Sequence, residues 1–102
     1  MTIPTQLVLE ALLDDPLCER YGLEIGERAG LRSGTVHPIL ARLEGYGWVT
    51  SRWEDVDASA EGRPVRRYYA LTEDGIQAAR TALARAHRPA LTRRLRPQVG
   101  EA

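Results

Sequence analysis

The chain has 102 residues, 43% of them hydrophobic and 27% charged, which suits one globular domain with a modest core and excludes a disordered or fibrous chain. All fourteen basic residues are arginine and fourteen acids balance them, but unevenly: residues 1–62 hold five arginines against eleven acids, residues 63–102 nine against three. The zero total is therefore −6 followed by +6, so a polyanionic partner is not excluded and any basic footprint must be local.

Pro4 to Leu13 reads as a first helix, with Pro4 in its first turn and Ile3, Leu7, Val8, Ala11 and Leu12 on its apolar side. Asp14-Asp15-Pro16 ends it. Tyr21 to Ala29 predicts a short second helix whose apolar residues are Leu23, Ile25 and Ala29, stopped by Gly30. Gly30-Leu31-Arg32 leads tightly into a third helix capped by Ser33 or, one turn-edge later, by Thr35. There Val36, Ile39, Leu40 and Leu43 recur at i, i+3, i+4, i+7 and make one buried stripe. The opposite face carries Ser33, Thr35, His37, Pro38, Ala41 and Arg42, with no carboxylate before Glu44. An ordinary solvated face mixes acids with bases. Short donors and a guanidinium are instead what a helix needs to lie close against phosphates and base edges in a major groove. Pro38 costs one backbone bond to Gly34, tolerable so near the helix start. The competing reading is an ordinary amphipathic helix with a badly placed proline.

Gly45-Tyr46-Gly47 breaks the third helix, and Trp48 to Trp53 follows as a strand rich in aromatic and β-branched residues. Glu54 to Gly62 is a polar, acidic loop. Val65 to Leu71 returns as a strand, with Val65, Arg67, Tyr69 and Leu71 on one face and Arg66, Tyr68 and Ala70 on the other. Gly62-Arg63-Pro64-Val65-Arg66-Arg67 brings three arginines to the end of this hairpin, suited to a phosphate backbone or a minor groove. Against that stands simple neutralisation of Glu54, Asp55, Asp57 and Glu61 in the same loop. Thr72 caps a last helix whose first turn holds Glu73 and Asp74. Its residues Ile76, Ala79, Leu83, Ala86 and Ala90 form a narrow seam suited to a partner helix, with Leu7 of the first helix beside it. Packing of that seam on the chain's own first helix is the alternative. Arginines crowd its end, Pro89 bends or stops it, and residues 97–102 fray.

The order is that of an α+β, mainly α, winged helix-turn-helix with a two-stranded hairpin wing and a C-terminal dimerisation helix. Residues 1–72 make the DNA-binding domain and 73–96 the dimerisation helix, packed as part of one domain. Catalytic readings fail: Cys18, His37 and His87 have no metal-site spacing, and there is no phosphate loop, paired-carboxylate motif or nucleophile elbow. No enzyme activity, cofactor or metal is expected. Cys18 has no partner for an internal disulfide and reads as a small core residue. No apolar run reaches membrane length and no signal segment opens the chain, so the expectation is a cytoplasmic protein with no membrane partner.

Several stretches together resemble the PadR-type transcriptional regulators: Tyr21-Gly22-Leu23-Glu24-Ile25, Leu31 through Glu44, Gly47-Trp48-Val49, Gly62-Arg63-Pro64, and Arg67-Tyr68-Tyr69-Ala70-Leu71-Thr72-Glu73-Asp74-Gly75. The resemblance covers about residues 5–85. It implies a homodimeric repressor that reads an inverted repeat in double-stranded DNA and is released by a small ligand or signal. On this chain the DNA contacts would fall to Arg32, Ser33, Thr35, His37, Pro38 and Arg42 of the helix and to Arg63, Pro64 and Arg66 of the wing. The family usually has tyrosine where this chain has His37, and a longer C-terminal region. A winged helix used only to bind another protein is the alternative, one that the acidic first half would suit.

Overall fold

A computed structural model of the chain describes residues 1–101, with side chains through residue 87. Helix α1 (Ile3–Leu13) starts from Thr2, whose hydroxyl accepts from the Thr5 amide, and ends at Asp14. It touches α2, α3, β3 and α5, so it buries more than one stripe: Val8, Leu9, Ala11 and Leu12 are all inside. The single-stripe expectation missed Leu9. It also placed Ile3 inside, whereas Ile3 is exposed in the first turn, beyond the elements that cover α1.

The two-residue strand β1 (Arg20–Tyr21), absent from the sequence reading, leads directly into α2 (Gly22–Ala29). The inner face of α2 is Gly22, Ile25, Gly26 and Ala29, an i, i+3, i+4, i+7 set, and Leu23 is exposed rather than buried. Glycine wins over leucine because α3 (Ser33–Gly45) comes so near. A Cβ on Gly26 would lie 2.8 Å from the Leu31 carbonyl oxygen, and one on Gly22 would lie 2.8 Å from Cε1 of His37. Gly30 closes α2 in the left-handed region at φ 72°, as expected of its stop.

Val36, Ile39, Leu40 and Leu43 of α3 are all buried, the stripe read from the sequence. The start of α3 shifts by one residue. Arg32 occupies the capping position and makes no side-chain cap bond, so Ser33 is the first helical residue and neither Ser33 nor Thr35 is the cap.

Strands β2 (Val49–Trp53) and β3 (Arg67–Leu71) pair antiparallel, Val49 opposite Leu71 and Trp53 opposite Arg67. β1 adds to the other edge of β3, giving the order β1-β3-β2. The wing is therefore a hairpin anchored by a third strand. The loop between β2 and β3 contains a short helix, α4 (Ala58–Glu61), capped by the Asp57 carboxylate, where an irregular loop was expected. α5 (Glu73–Glu101) runs on past Pro89 instead of ending there. Its first turns belong to the main core: Ala79 is fully buried, with Ile76 and Leu83 packed against the same cluster as Leu9, Ile25 and Leu40. Cys18, expected in the core, is exposed. No helix of the described residues is long and apolar enough to cross a membrane.

Candidate nucleic-acid interface

The approach of α2 to α3 sets the outward face of α3. Because Gly22 and Gly26 put no side chain between the two helices, α3 sits tightly in place and its far side is left clear. On that side Arg32, Ser33, Thr35, His37, Pro38, Ala41 and Arg42 are all exposed. Every residue in and just before α3 expected at a DNA contact thus lies on one uncovered surface. With no side-chain cap at Arg32, the first amides of α3 have no side-chain acceptor of their own.

Charge pairing separates this face from the rest of the molecule. Asp14 is bound by Arg28 at 2.7 Å and lies 4.0 Å from Arg20. Glu19 receives two bonds from Arg52, at 2.7 and 2.9 Å, which hold its carboxyl below the usual range. Glu44 accepts from Ser51 at 2.6 Å and lies 3.6 Å from Arg67. Arg32 and Arg42 make no ion pair among the described residues.

The wing is braced around Glu54. Arg63 donates to both its oxygens, at 2.7 and 3.1 Å; the Arg66 amide and the Tyr68 hydroxyl each add a bond at 3.3 Å. These donors, Arg63 foremost, hold the Glu54 carboxyl down at about 2 despite the opposing effect of burial. The three wing arginines do not form the free cluster the sequence suggested. Arg63 is tied to Glu54, with Glu61 at 3.9 Å; Arg67 donates to Ser51 and lies over the Trp53 ring; Arg66 stacks 4.2 Å above the Tyr21 ring. Pro64 is exposed and Arg66 half-buried, so they remain the outward residues of the tip. Tyr21 in turn meets Tyr68 edge-on at 5.8 Å.

Glu54, Tyr21 and Tyr68 were missed as parts of this site. The pairing of Trp53 with Arg67 puts Glu54 beside Arg66, and the Glu54 amide does bond the Arg66 carbonyl at 2.8 Å. That neighbour relation follows from register, which composition alone does not disclose.

The expected dimer seam is placed differently. Ala79 has no accessible surface, while Ile76, Leu83 and Leu7 pack against the chain's own core. Those residues face inward, the alternative weighed from the sequence. Ala86 is half-buried, and Ala90 lies outside the described side chains. No cluster of three His, Cys, Asp or Glu gathers among the described residues.

A solved PadR family transcriptional regulator from Eggerthella lenta is similar over 94% of this chain and 80% of its own, at 25% identity and a TM-score of 0.64. One from hypervirulent Clostridium difficile superposes over 92% of this chain and 98% of its own, at 21% identity and a TM-score of 0.68. The structure of overoxidized AbfR bound to DNA has the same fold over 99% of this chain and 73% of its own, with 24% identity and a TM-score of 0.63. Comparison with curated proteins finds no match. The family model of the PadR-like transcriptional regulators matches residues 8–81, from the middle of α1 through the buried part of α5. The match embraces the helix-turn-helix, the wing and the joint to α5, and the chain belongs to the PadR-like family of transcriptional regulators, DNA-binding proteins and not enzymes.

Proposed function

We propose that the chain is a cytoplasmic, homodimeric repressor that reads an inverted-repeat operator through α3 and the wing and is released by a small effector. The observation that carries the DNA-reading part is the α3 face, an exposed row from Arg32 to Arg42 that holds two arginines without carboxylate partners. A duplex supplies the missing counter-charge, and helix side chains near the start of such a helix can reach base edges. In this reading Arg32 and Ser33 meet phosphate, Thr35, His37, Pro38 and Arg42 face the bases, and Pro64 and Arg66 touch the neighbouring groove. Arg63 acts one step back, by holding the wing through Glu54.

One α3 covers only a few base pairs, too few for selectivity against a genome, so two copies must act together. The outward side of α5 supports that pairing: Ala78 and Ala82 lie beside Trp48 along a shallow groove of ≈490 Å³, a surface narrow enough for a partner helix to approach closely. Repression and ligand release rest on the family likeness.

Binding selection from random duplex DNA, followed by titration at several salt concentrations, tests the reading. An enriched two-fold symmetric sequence is expected, with affinity falling steeply as salt rises. No enrichment and a flat salt response would favour a protein-interaction module. That second reading has lost its main support, since Asp14, Glu19, Glu44 and Glu54 are engaged by the chain's own arginines.

A further inference from the structure

Between the start of α1 and the end of α3 lies a cavity of ≈260 Å³, lined by Thr5, Ile39, Arg42, Leu43, Tyr46 and Trp48 with the first two residues of the chain. Ile39 and Leu43 give it an aliphatic floor. Tyr46 and Trp48, their rings 5.6 Å apart and tilted by 57°, give it an aromatic wall. Arg42 is the one charged side chain among these residues, and it has no carboxylate partner among the described residues. A guanidinium at the edge of an apolar cavity is short of a counter-ion in a place where screening by water is reduced. Drug-sized ligands fill pockets of about 300–1,000 Å³, so this one takes a smaller body.

We infer that this cavity binds a small aromatic anion, its ring on Ile39, Tyr46 and Trp48 and its acidic group on Arg42, and that the bound anion competes with DNA. The competition follows from the place of Arg42 on α3. Arg42 lies three residues after Ile39 and four before Tyr46, on the same flank of the helix, while its own side chain is exposed on the outer face. One guanidinium therefore serves both surfaces. An anion that draws it toward the cavity removes it from the groove and adds negative charge beside the phosphates. The inference rests on the assignment of Arg42 to the DNA-facing row. It gives the effector a site within each protomer and a chemical class.

The probes are 2-naphthoate and its neutral isostere 2-naphthamide, titrated calorimetrically into the full-length protein, with duplex binding measured in parallel. Naphthoate is expected to bind at least tenfold more tightly than the amide, and Arg42→Gln to abolish that difference while the amide still binds. Thr5→Phe, which fills the cavity from α1 and touches no residue of the DNA row, should lose both probes and keep duplex binding. Added naphthoate should raise the apparent Kd for duplex in proportion to its concentration in the native protein and leave Thr5→Phe unaffected. Equal affinity for acid and amide, discrimination that survives Arg42→Gln, or naphthoate bound with duplex affinity unchanged would each overturn the inference. Loss of duplex binding without any probe would be a failure of the function proposed above, and is read separately. Cooperative melting of each variant at the native temperature excludes misfolding as the cause of a lost signal.

Discussion

At the scale of single residues, two glycines and one arginine carry the clearest consequences. Gly26 meets the Leu31 carbonyl so closely that alanine has nowhere to go without moving backbone. Gly26→Ala is expected to cost about 1–3 kcal/mol, the range for overpacking a tight contact, read by chemical denaturation. An unchanged midpoint would mean that α2 and α3 can separate freely. Gly22→Ala should cost less, because the atom it meets is the end of the His37 ring, which can rotate away. Arg42→Ala is expected to weaken binding to the selected operator by about 1–3 kcal/mol and to relax preference at one base pair. Unaltered affinity and unaltered preference would remove Arg42 from the base-reading set. The buried stripe of α3 was legible because Val36, Ile39, Leu40 and Leu43 follow the helical period with no competing signal. The inner face of α2 was not, although Gly22, Ile25, Gly26 and Ala29 follow the same period. Glycine reads as a turn residue in sequence, and its use as a spacer between helices shows only when the neighbouring helix is in place.

At the scale of elements, the wing is a hairpin closed by one carboxylate. The Glu54 carboxyl titrates at about 2 in the folded chain, against about 4.3 in an unfolded one. A lowered folded pKa means that the carboxylate's stabilisation is fully present above the unfolded value and disappears as pH falls through the folded one. Native protein should therefore lose stability between about pH 4 and pH 2 through this group, and Glu54→Gln should remove that part of the acid limb. Curves of stability against pH for the two proteins test it; identical acid limbs would deny Glu54 its bracing role. The wing tip can be probed in turn by salt. If Arg66 neutralises one phosphate, Arg66→Ala should reduce the slope of log K against log salt by about 0.9. A slope that stays the same would leave Arg66 to its stacking on Tyr21. The hairpin itself was visible from Trp48 to Leu71 as two β-rich runs around a polar loop. Its internal wiring was hidden, because whether an arginine reaches outward or turns back to Glu54 depends on register and on the course of α4. β1 was hidden for a different reason: two residues are too few to show any alternation.

At the scale of the whole molecule, the decisive question is where a second copy sits. Leu83→Glu, the obvious seam substitution, would bury its charge in the chain's own core and test folding rather than assembly. Ala82→Glu on the groove beside Trp48 is the cleaner probe. It should leave the protein folded while raising the dimer dissociation constant at least about tenfold, about 1.4 kcal/mol, and duplex binding should fall with it. Sedimentation equilibrium decides: an unchanged dimer bound fully to operator would place the interface elsewhere. The sequence showed that the last helix carries an apolar seam. It could not show that the seam is consumed by α1, since a stripe of small residues looks alike whether its cover comes from the same chain or from another.

The joint between α5 and the wing sets how the parts move together. Thr72 donates to the Gly47 carbonyl at 2.7 Å, its amide donates to the Trp48 carbonyl at 2.9 Å, and a Cβ on Gly75 would lie 1.9 Å from that same carbonyl oxygen. Such a joint has almost no play. α5 then works as a lever of about 43 Å, with its fulcrum at the foot of β2. A tilt of about 10° at the fulcrum swings the far end by about 7 Å, and the same gearing runs in reverse. A strain of a few ångströms where two such levers meet would turn each reading head by several degrees on a duplex whose half-sites repeat every 34–36 Å or so.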